Sequence, residues 1–218
     1  MDLIGYLAAA VVAYLLGSIP TGYLVARARG IDIRSAGSGN IGATNAFRVL
    51  GRTAGTIVLT VDVIKGFAAC FFVAGVAFAC FGASRPETGL SREKLALVTG
   101  FTAVLGHIYT CWLRFKGGKG VATTAGVMLA WAPWVLVIGV ASWLLVFVLS
   151  RYVSLASMVA AVVLPVASLL THAGAAITVV TAVIGALAIY KHRANLKRLL
   201  AGTEHRFGTR KEPPRPAS

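Results

Sequence analysis

Long stretches without a single charged residue are the feature that most limits how this 218-residue chain can fold. They show neither the 3.6-residue period of a surface helix nor the alternation of a half-buried strand. A helix needs about 20 apolar residues to cross a membrane, and charged residues make up only 13% of the chain, far fewer than in a soluble domain. We therefore predict an all-α, polytopic integral membrane protein. The runs are Leu3 to Ala26, Gly66 to Ser84, Leu95 to Leu113, Gly120 to Ser150 and Tyr152 to Tyr190.

The number of membrane crossings depends on the run from Gly120 to Ser150. It is long for one helix and short for two, whereas the run from Tyr152 to Tyr190 is long enough for two. Two crossings in the first of these runs place 17 of the 21 Lys and Arg residues on one side of the membrane. The positive-inside rule therefore favours about seven helices, with the N-terminus outside and the C-terminus in the cytoplasm. Because the two halves are short, local thinning or a partly re-entrant helix is the alternative.

The domain organisation follows from the same pattern. We expect residues 1–208 to form one membrane-embedded domain, and residues 209–218, which are charged and rich in proline, to be disordered. The first apolar run is too long for the core of a signal peptide and follows Asp2 instead of a basic segment. We expect it to be retained as the first span.

The net charge of +14 raises the question of nucleic acid as a partner. However, the basic residues are confined to short stretches between apolar runs, which the inside-positive bias of membrane proteins explains. We expect no nucleic-acid partner. Cys70, Cys80 and Cys111 share no close spacing, and no CxxC motif or Cys/His cluster is present. A metal site, a disulfide framework and a cofactor are therefore not expected.

The first polar segment that could carry chemistry is GSGNIGATNAFR, residues 37–48. It satisfies GxGxxG, but the strand and helix of a dinucleotide fold are missing around it. Closely spaced glycines let backbone N–H groups converge on an anion, Ser38 and Thr44 add hydroxyl groups, and Arg48 adds a planar guanidinium fork. The alternative is an ordinary Gly-rich turn with an arginine that reaches the membrane surface.

The second polar segment is RFKGGKGVATT, residues 114–124. Lys119 is not a P-loop lysine, because Gly120 follows it where Ser or Thr is required. Gly117, Gly118 and Lys119 nevertheless place free amides and an ammonium group at the positive end of an apolar helix. We predict anion binding here, because the alternative, a basic stop at a membrane boundary, needs no paired glycines.

The third polar segment, KHRANLKRLLAGTE, begins where the last apolar run ends. His192 and Asn195 lie three residues apart and therefore share one helix face. His192 can accept a proton or donate a hydrogen bond to an oxyanion. The alternative is a juxtamembrane helix attracted to anionic lipid, which explains Lys197 and Arg198 but not Asn195 or Glu204.

Several further polar residues lie within or beside the apolar runs. Asp62 and Lys65 lie one turn apart in the second span and are expected to pair, either for function or to brace the helices. Ser154 and Ser157 lie at a predicted helix start, where capping is the alternative to substrate binding. His107 is expected to be a packed, hydrogen-bonded histidine that could support the second segment.

The three segments together resemble those of the acyl-phosphate:glycerol-3-phosphate acyltransferases of the bacterial inner membrane, the PlsY family. The resemblance covers nearly the whole chain in order. One departure is Tyr109-Thr110, where relatives usually carry an aromatic residue followed by proline, and it concerns only the local shape near His107. The matching stretches are GSIPTGYLVA, GSGNIGATNAFR, GHIYTCWLRFKGGKGVATTAG, RYVSLAS and HRANLKRLLAGTEHRFG.

The resemblance implies transfer of a fatty acyl group from acyl phosphate to the 1-hydroxyl of glycerol 3-phosphate, at the cytoplasmic face of the bacterial inner membrane. Both substrates carry a phosphate, so the site needs two places for an anion. An acyl phosphate is an activated mixed anhydride, so no covalent nucleophile is needed. Besides membrane lipid, a soluble enzyme that makes acyl phosphate is a candidate partner. The alternative function is a transporter for a phosphate-bearing anion.

For this reaction, the chemistry of the three segments suggests a hypothesis for the residues of the site. We expect Ser38 and neighbouring amides to hold one phosphate and Arg48 and Lys119 to neutralise charge. His192 and Asn195 are expected to orient glycerol 3-phosphate, and the proton acceptor is either His192 or an oxygen of the acyl phosphate. The other residues expected to bind substrate are Gly37, Gly39, Asn40, Thr44, Asn45, Gly117, Gly118, Ser154, Ser157, Arg193 and Glu204.

Overall fold

The computed structural model describes residues 2–82 and 90–208, which form helices joined by loops, without a strand. Residues 83–89, which the seven-helix prediction places outside, and the predicted disordered tail 209–218 are not among the described residues. A π-helical turn, Ala69–Val73, joins the fourth and fifth helices. Within the described ranges, the α-helices are α1 (Asp2–Ser18), α2 (Thr21–Arg27), α3 (Ala43–Leu50), α4 (Arg52–Ala68), α5 (Ala74–Phe81), α6 (Arg92–Ile108), α7 (Val121–Trp131), α8 (Pro133–Ser150), α9 (Val153–Leu170), α10 (Ala175–Lys191) and α11 (Arg193–Leu200).

The helices confirm an all-α membrane fold. A bent pair, α10 and α11, meets at 56° and could form one further broken span. α7 is apolar but only 11 residues long. The number of seven crossings and the direction of the termini therefore stay predictions. In residues 2–82 and 90–208, the segments long and apolar enough to cross a membrane are Leu3–Arg27, Arg52–Phe81, Arg92–Leu113, Pro133–Ser150 and Val153–Leu170.

The run from Gly120 to Ser150 contains two helices, α7 and α8. They separate at Ala132, whose backbone leaves the helical conformation, and Pro133 begins α8. Proline suits a helix start because the N–H that it lacks would have no helical partner there. α8 then packs along α9, and the groove between them extends the site described below.

Glycines bring α7 close to α4. A side chain at Gly66 of α4 would meet the carbonyl of Thr123, and one at Gly126 of α7 would meet the carbonyl of Val63. Small residues permit such close approach between helices in a membrane. The start of α7, two residues after Lys119, is therefore held against α4.

Asp62 and Lys65 of α4 form the predicted ion pair, with 2.8 Å between Oδ1 and Nζ, and both side chains are buried. Thr21 donates to Asp62 Oδ1 at 3.2 Å, and Lys65 donates to the carbonyl of Ile19 at 3.0 Å. Buried charges without partners are costly. These contacts satisfy the pair and fasten α4 to the break between α1 and α2.

Large apolar side chains cover the outer surface of the helices. α8 alone exposes Trp134 at 79%, Val148 at 71% and Leu149 at 77%. An apolar surface of this extent marks contact with lipid or with another protein. Together with the length of the helices, it fits a chain whose outer surface lies against lipid tails.

Candidate active site

A cavity of about 1260 Å³ is lined by residues of α3, α4, α7, α8, α9 and α11. All three polar segments of the sequence reach it, although they lie far apart in the chain. Four of the expected residues do not line it: Gly39, Gly117, Gly118 and Arg193. Those that do are Gly37, Ser38, Asn40, Thr44, Asn45, Arg48, Lys119, Ser154, Ser157, His192, Asn195 and Glu204.

The loop that carries Ser38 is built around the side chain of Asn45, which is 1% exposed. Asn45 Oδ1 accepts from the amide of Ser38 at 2.8 Å, and its Nδ2 donates to the carbonyls of Ala36 at 3.0 Å and Asn40 at 2.9 Å. Gly37 has a φ of +61°, and a side chain there would meet the Asn45 amide. Asn45 therefore shapes the loop from within, and the hydrogen bonds of its side chain are made to the protein.

Backbone amides of this loop also bond to the loop itself. The Gly39 amide donates to the carbonyl of Ala36 at 3.0 Å, and the Gly42 amide donates to Asn40 Oδ1 at 2.8 Å. With the Ser38 amide bonded to Asn45, these three donors are already used. The expected convergence of glycine amides on an anion is therefore not what the structure shows.

Anion binding is available instead at the start of α3. Ala43 and Thr44 form its first turn and line the cavity, and Gly42 before them provides no side-chain cap. First-turn amides at the positive end of a helix favour anions. Arg48 lies one turn further along the same face and also lines the cavity. Within the described ranges, Arg48 makes no hydrogen bond or ion pair, so its guanidinium remains available.

Gly117 and Gly118 anchor the second loop to the end of α6. Their amides donate to the carbonyls of Ile108 at 3.1 Å and His107 at 3.0 Å, so these amides are not free, in contrast to the prediction. A side chain at Gly118 would meet the imidazole of His107. The paired glycines let the loop lie directly on α6, and this placement presents Lys119 to the cavity.

Lys119 is partly buried in the loop before α7, and its ammonium donates to the amide oxygen of Asn195. Burial lowers the pKa of Lys119 to about 8. The guanidinium groups of Arg198 and Arg48 act in the same direction, and the carboxylate of Glu204 opposes them. The ammonium is therefore charged at neutral pH and suited to a phosphate, whose negative charge would raise this pKa again.

Glu204 joins α9 to α11 through three hydrogen bonds. Its Oε1 accepts from Ser154 at 2.8 Å and from Asn195 Nδ2 at 2.7 Å, and its Oε2 accepts from Arg198 Nε at 2.7 Å. Burial raises the pKa of Glu204, but the hydrogen bonds outweigh it and hold the pKa below its usual value. Asn195 is therefore held at both ends of its amide, by an ionised Glu204 and by Lys119.

His192 lies at the break between α10 and α11 and is buried. Its Nδ1 is 2.7 Å from the carbonyl of Ala188, which can only accept, so Nδ1 carries the hydrogen and Nε2 can accept one. Burial lowers the pKa of His192 to about 4, and the ammonium of Lys119 acts in the same direction. His192 is thus neutral at physiological pH.

The sequence predicts that Arg193 binds substrate and explains Arg198 by attraction to anionic lipid, whereas in the structure Arg198 is the one that lines the cavity. Arg193 is exposed, donates to the carbonyl of Tyr190 at 3.2 Å and stacks on the ring of Tyr190 at 4.5 Å. Arg198 lines the cavity and was missed, although it lies three residues after Asn195 and therefore shares its helix face. That spacing is the signal that could have identified it.

The segment after Glu204 closes one side of the cavity and was also missed. Residues 205–207 line it. The amide of Phe207 donates to the carbonyl of Arg151 at 2.9 Å, and the Phe207 ring meets the ring of Phe147 edge to face at 5.6 Å. These residues end the matching stretch HRANLKRLLAGTEHRFG, and that stretch was the signal that could have identified them.

An apolar groove between α8 and α9 continues the cavity away from the polar residues. Ser157 lies beside it, accepts from the indole N–H of Trp143 at 3.1 Å and donates to the carbonyl of Val153 at 2.8 Å. The hydroxyl of Ser154 donates a hydrogen bond to Glu204. Both serine hydroxyls therefore already donate to groups within the protein.

Asp62 and His107 also line the cavity. His107 Nδ1 lies 3.6 Å from Asp62 Oδ1 and has no hydrogen-bond partner in the part of the chain that the structure describes. The histidine is packed as expected, but its expected hydrogen bond is missing. In the same ranges, no group of three or more His, Cys, Asp or Glu side chains could hold a metal ion.

Known proteins resemble the chain over nearly its full length. A family model described as Glycerol-3-phosphate acyltransferase matches residues 7–202. A glycerol-3-phosphate acyltransferase of Rhizobium etli is 43% identical over 205 residues, which cover 94% of this chain and 92% of that protein. Glycerol-3-phosphate acyltransferase 2 of Moorella thermoacetica is 46% identical over 206 residues, which cover 94% and 99% of the two chains.

Two crystal structures of PlsY (YgiH), an integral membrane glycerol 3-phosphate acyltransferase, share the fold. The glycerol 3-phosphate form has a TM-score of 0.82 at 43% identity, and the lysophosphatidic acid form 0.79 at 42%; each match covers 94% of this chain and 96% of the other. Fold and site thus define an acyltransferase embedded in a membrane. The family is now clear as well: the chain belongs to the glycerol-3-phosphate acyltransferases, the PlsY family. The alternative of an anion transporter is set aside.

Proposed function

We propose that the enzyme transfers a fatty acyl group from acyl phosphate to the 1-hydroxyl of sn-glycerol 3-phosphate, giving 1-acylglycerol 3-phosphate and inorganic phosphate. The observation that carries the proposal is one cavity in which a cationic pocket continues into an apolar groove. An acyl phosphate has the same two parts, a charged head and an alkyl chain. The glycerol 3-phosphate form of the related PlsY supports the second substrate.

The charge of the pocket matches two phosphate groups. Arg48, Lys119 and Arg198 line it, and ionised donors make the stronger hydrogen bonds to phosphate oxygens. We assign Arg48, the start of α3 and the hydroxyls of Ser38 and Thr44 to one phosphate. Lys119 neutralises charge on the phosphate that leaves.

The reaction forms one bond and breaks one. The 1-hydroxyl oxygen attacks the carbonyl carbon of the acyl phosphate, the bond from that carbon to the bridging oxygen breaks, and phosphate departs with the electron pair. The neutral His192 accepts a hydrogen bond from the hydroxyl through Nε2 and orients it. Because a pKa of about 4 makes this imidazole a weak base, the proton passes to a more basic phosphate oxygen.

The remaining expected residues support the site in this proposal. Asn195 positions glycerol 3-phosphate while Glu204 holds its amide, and Ser154 steadies Glu204. Asn45, with Gly37, Gly39 and Asn40, shapes the loop of Ser38, and Gly117 and Gly118 shape the loop of Lys119. Ser157 fixes Trp143 in the groove. Arg193 stays a weaker candidate because it faces away from the cavity.

We further propose seven membrane crossings in the bacterial inner membrane, with the N-terminus outside and the cavity open to the cytoplasm. In support, the basic segments gather at one cavity, and glycerol 3-phosphate is soluble in the cytoplasm. Single cysteines in a background without native cysteines test this with an impermeant maleimide. Ser91→Cys should react in intact spheroplasts and Thr203→Cys only after lysis; the reverse result would invert the topology.

A soluble enzyme that forms acyl phosphate remains a proposed partner on the basic side of the molecule. Arg114 and Lys116 are exposed beside the loop of Lys119 and suit an acidic docking surface. Reversing both charges to Glu should weaken co-purification with that enzyme, while turnover of added acyl phosphate is retained. Unchanged co-purification would contradict docking at this position.

The activity is tested with the purified protein in detergent, palmitoyl phosphate and glycerol 3-phosphate. Phosphate and lysophosphatidic acid should appear in equal amounts, and neither should form when glycerol 3-phosphate is left out. Palmitoyl-CoA in place of palmitoyl phosphate should give no product. Phosphate release that does not require glycerol 3-phosphate, or product formed from the thioester alone, would contradict the proposal.

A further inference from the structure

The apolar groove follows one face of α8 and one face of α9. Near the polar pocket, the side chains of α9 are small, and Leu164 narrows the groove further along. The spacing of the α8 residues is that of one helical face. The residues that line the groove are Leu136, Gly139, Val140, Trp143, Leu144 and Phe147 of α8 and Ser157, Ala160 and Leu164 of α9.

Gly139 and Leu164 are in direct contact where they line the groove. A side chain at Gly139 would lie 2.5 Å from Leu164 Cδ2, so Leu164 packs directly against the α8 backbone here, and a larger residue at 139 would push the Leu164 side chain into the groove. Trp143, one turn nearer the pocket, is held by its hydrogen bond to Ser157 at 3.1 Å. The Trp143 ring is therefore fixed in place, and the width of the groove at Gly139 depends on the residues of the two helices.

The groove ends just beyond this pair. Leu136 and Leu164 pack against a buried cluster formed by Met128, Val135 and Ala167. Protein interiors of this kind contain few voids larger than a water molecule. An alkyl chain that follows the groove past Gly139 therefore soon reaches a filled core.

The length of the groove can be counted in residues of α8. Phe147 marks the end at the polar pocket, since its ring meets Phe207. From Phe147 to Gly139 the helix rises about 12 Å, and to Leu136 about 16 Å. An extended carbon chain advances about 1.2 Å per bond. A chain therefore reaches Gly139 after roughly ten carbons and the closed end after roughly fourteen.

On the basis of the acyl-phosphate reaction proposed above, we propose that the close packing of Leu164 on Gly139 determines which acyl-chain lengths the enzyme accepts. An octanoyl chain ends before Gly139, whereas a hexadecanoyl chain must pass it and is long enough to reach the closed end. A side chain at residue 139 displaces Leu164 into the groove and should therefore act on long donors alone.

The test compares kcat/KM for octanoyl and hexadecanoyl phosphate in the unaltered enzyme and in Gly139→Val. We expect the variant to lose at least roughly tenfold with the long donor, as for steric rejection in an apolar pocket. The kcat/KM for the octanoyl donor and the KM for glycerol 3-phosphate should stay within about twofold, since the polar pocket is unchanged. Equal losses with both donors, or no loss with either, would overturn the proposal.

A matched control and a rescue variant separate this effect from damage to the fold. Ala141→Leu adds the same three heavy atoms on the exposed side of α8, outside the cavity, and should leave the ratio of the two donors unchanged. Adding Leu164→Ala to Gly139→Val should restore use of the long donor, because the two residues are in contact. A double variant as restricted as Gly139→Val would count against the pair.

The open side of the groove defines the competing outcome. Val140 and Leu144 line the groove and are 44% and 49% exposed, so a chain can enter from the bilayer there. If long chains leave by the same side before they reach Gly139, the donor ratio in Gly139→Val will not change, and the inference fails. An unaltered enzyme that is inactive with every acyl phosphate would instead refute the proposed function.

Discussion

The ammonium of Lys119 donates a hydrogen bond to the amide oxygen of Asn195, 76 positions later in the chain. The same amide donates through its nitrogen to Glu204 at 2.7 Å. A cation, a neutral amide and an anion are thus joined in one row along the wall of the cavity. The position of Lys119 and its charge both depend on residues that follow the last apolar helix.

The pH dependence of activity should report the charge of Lys119. Its pKa of about 8 predicts that the ammonium is present at neutral pH and lost above pH 8, so kcat/KM for acyl phosphate should decline on the alkaline side. Lys119→Arg should remove this decline, because a guanidinium stays charged. Lys116→Arg, an exposed change in the same loop, should leave the decline in place. An alkaline decline that persists in Lys119→Arg would assign it to another group.

Asn45 should matter for stability and Ser38 for activity. Asn45→Ala leaves the Ser38 amide and several loop carbonyls unpaired, and we expect a loss of about 2–4 kcal/mol in the free energy of unfolding. Ser38→Ala removes a hydroxyl at the cavity without an internal partner in the described ranges. It should keep the melting temperature and lower kcat/KM by roughly tenfold or more. Thermal unfolding in detergent and initial rates distinguish the two, and the reverse pattern would contradict the assignment.

His192 should orient the attacking hydroxyl by accepting a hydrogen bond from it, and should not act as the general base. His192→Ala should raise the KM for glycerol 3-phosphate and lower kcat by less than the roughly 100-fold typical of a lost general base. His192→Gln, which keeps a group able to accept a hydrogen bond, should recover part of the loss. A kcat reduced by several hundredfold with an unchanged KM would instead identify His192 as the base.

Arg198 and Arg193 provide a matched pair of substitutions on α11. Arg198→Ala removes the partner of Glu204 Oε2 and a cation from the cavity, so kcat/KM should fall by at least roughly tenfold. Arg193→Ala removes an exposed side chain stacked on Tyr190 and should stay within about threefold, as for surface substitutions generally. Equal losses would show that Arg193 reaches the substrate after all.

The helices could be predicted because lipid makes simple demands on a sequence. A span must be apolar for about 20 residues, so charged residues in the sequence mark where it begins and ends. The run from Gly120 to Ser150 was recognised as too long for one helix, and the structure divides it before Pro133, where proline suits a helix start. That the three polar segments belong to one site was also predictable, because each combines basic residues with glycine or asparagine.

The functions of individual amides could not be predicted in the same way. Gly118 looks like a donor to an anion, but its N–H bonds to the carbonyl of His107, which lies on α6, eleven residues earlier in the chain. The face that α11 turns to the cavity depends on the bend at His192, which composition does not encode. The groove was equally hidden, because residues of α8 that face lipid and residues that face the groove are all apolar.

The row of contacts from Lys119 through Asn195 to Glu204 has a consequence for biosynthesis. A chain is made and inserted from its N-terminal end, so α3 and the loop of Lys119 reach the membrane well before their partners exist. Until the ribosome has released Glu204, the cationic pocket lacks one wall and its only carboxylate in the row. A nascent or truncated chain that ends before Glu204 can therefore insert its helices while the hydrogen-bond partner of Asn195 is still missing, and we expect it to be inactive.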